Sequence, residues 1–243
     1  MKFIVSILFL LNSFSFAGDS SRVGNGGGVL YCEKRDDVLL DVYESIFYEI
    51  HTFNNLKSLD LKRRQKLLEK RVGSFSPLYK RMMTELRSFF DNNVNYLKVS
   101  SFKIPDDFNN LFYEDDCVLN VVAVQRKPIL PFDNVFFINQ SLWEESSWMT
   151  QQGLIDHELL YLIALSQGAK SSKSVREFLA YLLSDEFLDS ANDETEVLFY
   201  NNVLGIKWFA NDSWPRDRKE SVYKDLCNKL KRDYFFNCPV LRD

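Results

Sequence analysis

The sequence predicts a predominantly helical α+β protein that forms a single domain with a small β-sheet, stapled by disulfide bonds. Several segments repeat apolar residues at helical spacing, two shorter runs are rich in β-branched residues, and the chain has four cysteines. Of the 243 residues, 46% are hydrophobic and 26% are charged. This balance is typical of a chain that folds around a core, and it excludes a disordered or multi-span membrane protein.

The first 17 residues have the pattern of an export signal. Lys2 precedes an apolar run that ends at Leu11, and Ala17 has the small side chain that a signal peptidase accepts before its cut. The run is shorter than the roughly 20 apolar residues needed to span a bilayer. We therefore expect residues 1–17 to be removed, leaving a soluble protein without a membrane span in the periplasm or outside the cell. Residues 18–243 would form its one domain.

The first half of this domain is predicted to contain one strand and three helices. Residues 24–28 are mostly glycine and indicate a flexible lead into a strand over 29–32, because no phosphate-binding Gly-Lys-Ser/Thr follows. Two aspartates then introduce an amphipathic helix over 37–51, and a further helix is expected over 78–97. The Lys- and Arg-rich residues 57–72 favour a solvated helix face over a patch for an anionic partner.

The second half begins with strands and continues as helices. Residues 118–124 and 135–138 are rich in valine, isoleucine and phenylalanine, which indicates two buried strands. A long helix is predicted over about 144–166 and ends at Gly168. Ser171 or Ser172 can cap a second helix that extends to about 188, and a final charged helix is expected over 218–233. No repeat or long linker divides the chain.

Four cysteines lie after the export signal, and an even number in an oxidising compartment favours disulfide bonds. Four cysteines allow three pairings. We expect Cys227–Cys238, because these residues are close in sequence, and Cys32–Cys117, because each flanks a strand-like run. No pair has C-x-x-C spacing, which argues against zinc bound by cysteine.

The helix predicted over residues 144–166 contains half of a zinc-peptidase motif. In H-E-x-x-H, two histidines one turn apart bind the metal and the glutamate acts as general base. Here His157 and Glu158 are present, but Tyr161 replaces the second histidine. A metal-assisted hydrolase of peptide or cell-wall bonds would use His157 as a zinc ligand and Glu158 as the base. Tyr161 would then donate to the oxyanion, and Glu177 would be a second metal ligand.

The same residues also fit a structural role, which is the interpretation that we favour. His157 and Tyr161 lie four residues apart on a helix face that also contains the apolar Leu154, so this face should meet the core. A following antiparallel helix would bring Arg176 to Glu158. A buried His/Glu/Tyr/Arg cluster that satisfies its own hydrogen bonds would then hold the two helices together without a cofactor.

Other functional classes are excluded or left open by the composition. A pI near 5.4 and the lack of a long basic block argue against a dedicated nucleic-acid binder. No Gly-x-Ser-x-Gly elbow indicates a serine hydrolase. Trp208, Phe209 and Trp214 would suit a periplasmic or secreted binding module for a glycan or an envelope protein, if these rings form an exposed surface.

The order of these motifs is similar to that of a group of uncharacterised exported proteins of predatory and related Gram-negative bacteria. The resemblance rests on the glycine-rich segment before Cys32, on the Leu-Leu-Asp-Val-Tyr-Glu sequence of residues 39–44, and on a His-Glu-x-x-Tyr element at residues 157–161. It covers much of residues 18–185. It implies a periplasmic or secreted location and names no reaction.

Overall fold

The computed structural model describes residues 27–33, 35–53, 63, 64, 66, 76–104, 116–190, 192–206 and 216–238. The predicted export signal lies outside these residues, as do the three aromatic residues of the predicted binding surface. The described chain is mainly helical, with two three-stranded sheets and two disulfide bonds. The prediction of a predominantly helical α+β domain is therefore confirmed, with the strands divided between two small sheets.

Strands and helices follow one another along the described chain. The strands are β1 (Gly28–Cys32), β2 (Arg35–Leu39), β3 (Val94–Leu97), β4 (Cys117–Val121), β5 (Ala123–Gln125) and β6 (Phe136–Asn139). The helices are α1 (Leu40–Phe47), α2 (Ser76–Asn93), α3 (Gln140–Glu145), α4 (Trp148–Ser166), α5 (Lys173–Leu183), α6 (Glu186–Asp189), α7 (Asn192–Leu198) and α8 (Arg216–Tyr234), with a π-helical turn at Phe199–Val203. None of these helices is long and apolar enough to cross a bilayer.

The valine-rich run predicted as one strand forms two strands in different sheets. β4 pairs with β1 in an antiparallel sheet of order β2-β1-β4, whereas β5 pairs with β6 in a sheet of order β3-β6-β5. The run divides at Val122, whose N–H donates to the Gly27 carbonyl and whose carbonyl accepts from the Asn139 N–H. One continuous apolar run therefore joins the two sheets.

The first helix begins later than the sequence indicated. The two aspartates expected to start it, at positions 36 and 37, lie in β2, because this segment pairs with β1 through Val29 and Leu39. α1 starts at Leu40 and ends at Phe47. The Asp37 carboxylate instead accepts hydrogen bonds from the backbone N–H of Ser147, at 3.2 and 3.3 Å.

The long helix predicted over residues 144–166 is two helices, because the chain turns at Ser146 and Ser147. The Ser147 hydroxyl accepts from the Thr150 N–H at 3.2 Å and caps the start of α4. Every residue from 153 to 164 is buried, so α4 lies inside the domain with no solvated face. The expected amphipathic stripe is thus replaced by a helix that is enclosed on all sides.

Two further predictions differ from the structure, one at the end of a helix and one in the exposure of an arginine. The final residues of the helix predicted over 78–97 form β3, which pairs in parallel with β6. Within the Lys- and Arg-rich segment the structure describes Arg63, Arg64 and Lys66. Arg63 and Lys66 are exposed, as predicted, whereas Arg64 is buried and donates to the carbonyls of Leu182 and Ser184. Local charge could not reveal this, because both carbonyls belong to the end of α5, more than a hundred residues away.

Both disulfide predictions are confirmed. Cys32 pairs with Cys117, which lies opposite it in the β1–β4 ladder, and Cys227 in α8 pairs with Cys238. The first bond joins residues 85 positions apart and the second joins residues 11 positions apart. By chain entropy alone, loops of these lengths stabilise a fold by about 4–5 and about 3 kcal/mol.

Candidate functional site

A buried polar cluster lies where α4 meets α1. His157 on α4 has no exposed surface, and its Nδ1 lies 2.9 Å from Oδ1 of Asp41 on α1. Asp41 is itself almost completely buried. The pair therefore joins two helices that are far apart in sequence, and it gives the buried imidazole an acidic partner that compensates for its desolvation.

Arg176 binds a different acid from the one that the sequence indicated. Its Nε lies 2.6 Å from Oε2 of Glu44, and its Nη2 lies 3.2 Å from Oε1 of the same carboxylate. Its Nη1 donates to the Ser172 hydroxyl at 2.7 Å. The expected pairing of Arg176 with Glu158 is therefore wrong. α1 packs against α5 and brings Glu44 to the guanidinium, which binds it through two nitrogens.

Glu158 is held by the end of the glycine-rich segment. Its Oε1 accepts from the Gly27 N–H at 2.8 Å, and its backbone carbonyl accepts from the Gln125 side-chain amide at 2.6 Å. A Cβ at position 27 would lie 2.5 Å from Leu154 Cδ2 and 3.2 Å from Glu158 Oε1. Position 27, directly before β1, therefore requires glycine because its backbone lies close to α4. The flexibility of glycine is not the only reason.

Tyr161 completes the set of residues singled out from the sequence. Its ring is buried one turn from His157, and the two ring centroids lie 6.1 Å apart at a tilted angle. The structure thus buries all four of His157, Glu158, Tyr161 and Arg176. The acids paired with His157 and Arg176, however, come from α1 and not from within this set.

The surroundings of the two buried ionisable residues on α4 raise both pKa values. Burial alone would lower the pKa of His157, but the charge and hydrogen bond of Asp41 outweigh burial and raise it above 6.5. Burial raises the pKa of Glu158 above 4.5, against the opposing effects of His157 and the Gly27 N–H. Both shifts favour the protonated form of the side chain relative to the unfolded chain.

A cleft of about 370 Å³ opens between α1 and α5, next to this cluster. Its buried side chains include Asp41, Ser45 and Arg176, and its exposed side chains include Tyr48 and Glu177. The remaining lining residues are Glu44, Ile50, His51, Lys173 and Ala180. The cleft therefore combines a buried aspartate, a guanidinium bound by a half-buried glutamate, and an exposed aromatic ring.

Two buried oxygen atoms of the lining residues make no hydrogen bond to any described residue. They are Oδ2 of Asp41 and Oγ of Ser45. Both belong to α1, one turn apart, so they lie on one face of that helix. A buried acceptor without a partner costs about 1–3 kcal/mol, and a ligand or water that donates a hydrogen bond recovers that cost.

The predicted metal ligands lie in different surroundings. Glu177 is exposed at the cleft, whereas His157 is fully buried with its Nδ1 bound to Asp41. Over the described ranges, no three His, Cys, Asp or Glu side chains are grouped so that they could hold a metal ion. The zinc site stays a prediction.

Sequence reasoning missed the residues of α1 that make the site. Asp41, Glu44 and Ser45 recur at three- and four-residue spacing within a short helix that is otherwise apolar. Polar residues at core-facing positions of an amphipathic helix are the signal that could have identified them. Without the packing of α1 on α5, however, their partners could not be assigned.

Comparisons with known proteins identify no relative of this chain. No protein-family model matches it, and no curated protein or solved structure is significantly similar to it. The resemblance to exported bacterial proteins therefore stays a prediction. Any functional argument has to start from the geometry of the α1–α5 cleft and the polar cluster next to it.

Proposed function

We propose that this protein is an exported binding module that holds a short glycan in the α1–α5 cleft. The observation that carries the proposal is the pair of buried oxygen atoms, Asp41 Oδ2 and Ser45 Oγ, that have no partner among the described residues. Both can accept a hydrogen bond, but neither atom is accessible from the cleft as it stands, so a sugar hydroxyl would donate to them only as the cleft wall opens. Binding would recover the free energy that each unsatisfied acceptor costs.

The charges around the cleft favour a neutral ligand. Arg176 is paired with Glu44, and Asp41 is paired with His157, so the buried charges compensate one another within the protein. Lys173 and Glu177 add one charge of each sign where the cleft is exposed. A ligand that hydrogen-bonds without carrying a net charge fits this balance better than a strong anion or cation.

The size and rim of the cleft also suit a sugar. A volume of about 370 Å³ falls at the lower end of the usual range for small-molecule sites, about 300–1,000 Å³. Tyr48 is 53% exposed and lines the cleft together with the apolar Ile50. A flat ring beside polar groups matches a sugar, which presents an apolar C–H face and hydroxyls at its edge.

The buried cluster of His157, Glu158, Tyr161 and Arg176 is best explained as support for this cleft. None of these residues except Arg176 lines it, and His157 is fully buried. By binding Asp41 and Glu44, His157 and Arg176 hold α1 in place against α4 and α5. Their role in this proposal is to fix the geometry of the wall that contacts the ligand.

Export is supported by the cysteines and by the N-terminal pattern. All four cysteines form disulfide bonds, which persist in oxidising compartments and are rare in the cytosol. Cell fractionation and N-terminal sequencing test the location directly. We expect the protein in the periplasmic or extracellular fraction, beginning at Gly18; an intact N-terminus in the cytosol would contradict export.

Glycan binding is tested by titrating the purified protein with two neutral disaccharides, one of glucose and one of N-acetylglucosamine. Calorimetry or NMR gives the Kd for wild type, Ser45→Val and Tyr48→Ala. We expect each substitution to weaken binding by about tenfold, which corresponds to about 1.4 kcal/mol. Tyr96→Ala is the matched control, because Tyr96 is 43% exposed and lies on β3, outside the cleft.

The outcome that would reject the proposal is also defined. If neither disaccharide binds, the protein is not a glycan-binding module of this kind. If wild type and both cleft variants have equal Kd values, the glycan does not bind in the α1–α5 cleft. Loss of binding in Tyr96→Ala as well would mean that the effect does not come from the α1–α5 cleft.

A further inference from the structure

The loop that joins β5 to β6 presents an apolar tip to solvent. Ile129 is 85% exposed, Phe132 is 79% exposed and Leu130 is 46% exposed. Large apolar side chains are usually exposed singly, and three within four residues form a continuous apolar surface. Such a surface lowers its free energy by entering an apolar environment.

The tip is held in one conformation by hydrogen bonds within the loop. The Asp133 carboxylate accepts from the N–H groups of Ile129 and Leu130, at 2.9 and 2.8 Å, and the Asp133 N–H donates to the Leu130 carbonyl. Pro128 and Pro131 further restrict the backbone of the same loop. Because the apolar side chains are already presented on an ordered loop, little conformational entropy remains to be lost on binding.

Basic residues surround the base of this tip. Arg126 and Lys127 precede it and are exposed. The Lys127 ammonium lies 2.7 Å from Asp233, which brings the last turn of α8 beside the loop. That turn contains Lys231 and Arg232, which are also exposed. Arg232 also binds Asp233, with Nη2 2.7 Å from Oδ2, and Asp133 adds a second carboxylate, so the four cations leave a small positive surplus beside the tip of a chain whose formal net charge is −4.

We propose that this apolar tip inserts into the interface of an anionic phospholipid bilayer while the surrounding cations bind the lipid phosphates. Apolar side chains that enter the acyl boundary, together with Lys and Arg at the headgroups, are the usual means of reversible membrane attachment. A protein pocket could also accept the apolar tip, but it would not require the cations around it. The charge complementarity therefore favours the membrane surface. This inference is independent of the glycan proposal, because the tip and the cleft share no residue.

Vesicle co-sedimentation tests the inference with the purified, disulfide-bonded protein. We expect it to bind vesicles of phosphatidylglycerol mixed with phosphatidylcholine and not vesicles of phosphatidylcholine alone. Binding should weaken as salt is raised from about 50 to about 500 mM, because the Debye length shortens. The double variant Ile129→Ser/Phe132→Ser should bind about tenfold more weakly than wild type.

The control variant is Val118→Ser, since Val118 is 61% exposed on β4 and lies outside the loop. It should bind vesicles like wild type. All variants should retain the wild-type circular dichroism spectrum, because the substituted side chains are exposed. Failure of wild type to bind anionic vesicles would overturn the proposal. The alternative would then be that the tip binds in a pocket of a partner protein. Equal binding by wild type and the double variant would overturn it as well.

Discussion

The His157 imidazole and the Asp41 carboxylate form a buried hydrogen-bonded pair, with Nδ1 and Oδ1 2.9 Å apart although the residues are 116 positions apart in sequence. Asp41 also lines the α1–α5 cleft. One carboxylate therefore contacts both the polar cluster and the proposed ligand site. The protonation state of His157 and the binding of a ligand at Asp41 should consequently influence each other.

This pair predicts a pH dependence of stability. Because Asp41 raises the pKa of His157 above 6.5, the folded protein binds this proton more tightly than the unfolded chain does. The resulting stabilisation is complete below pH 6.5 and is lost as the pH rises through the folded-state pKa. We expect the free energy of unfolding, measured with urea, to fall over this range in wild type.

The variant Asp41→Asn supplies the comparison, because it removes the charge that raises the His157 pKa. Its stability should no longer fall above pH 6.5. The other histidine, His51, does not interfere with the measurement. Burial lowers its pKa, so its titration changes the free energy of unfolding below pH 6.5 and not above it. Identical slopes in wild type and Asp41→Asn would contradict the assignment.

A second prediction concerns the buried carboxyl of Glu158. Burial raises its pKa above 4.5, so the neutral form stabilises the folded state at low pH, and ionisation reduces stability as the pH rises through the folded-state pKa. Glu158→Gln keeps an oxygen to accept from the Gly27 N–H and cannot ionise. We expect the variant to become more stable relative to wild type as the pH increases. A constant difference between the two at all pH values would show that Glu158 does not titrate in this range.

A double-mutant cycle distinguishes the observed partner of Arg176 from the one that the sequence indicated. Arg176→Ala should lower the free energy of unfolding by about 3–5 kcal/mol, because it removes the guanidinium that binds the Glu44 carboxylate in a largely buried pair. Combined with Glu44→Gln, the two effects should be non-additive by about 1–3 kcal/mol. Combined with Glu158→Gln, they should be close to additive. Strong coupling to Glu158 and none to Glu44 would contradict the structure.

Gly27 provides a prediction about backbone proximity. An added methyl group would meet Leu154 and Glu158 Oε1 closely, so Gly27→Ala should lower stability by about 1–3 kcal/mol through overpacking. In the background of Leu154→Ala, which removes the nearest atom, the additional cost of Gly27→Ala should become smaller. Thermal unfolding measures both. An unchanged melting temperature in Gly27→Ala would mean that the segment does not approach α4.

The fold class and the disulfide pairing could be predicted because they depend on local signals. Apolar spacing identifies a helix such as α1, capping and turn residues identify α5, and cysteines that flank strand-like runs indicate a bridge between strands. Element ends were less predictable. Asp37 is a reasonable first-turn residue of a helix, but tertiary pairing of β2 with β1 overrides this local preference.

The partners within the site could not be predicted for a related reason. His157 and Arg176 were recognisable as buried polar residues from their positions on helices. Their acidic partners, Asp41 and Glu44, are more than a hundred residues away and are brought close only by the packing of α1. Spacing reports which residues share a face of one helix, but not which helix covers that face.

The zinc hypothesis can be tested against the binding-module proposal by measuring metal content. With Nδ1 bound to Asp41, only Nε2 of His157 could bind a metal, and the other predicted ligand, Glu177, is exposed at the cleft. We expect protein purified without chelators to contain less than one zinc per chain. His157→Ala should lose about 3–5 kcal/mol of stability, because Asp41 is left buried and unpaired, whereas Glu177→Gln should unfold like wild type. Stoichiometric zinc that both substitutions remove would establish a metal site, and would replace the binding module with a metal-assisted hydrolase.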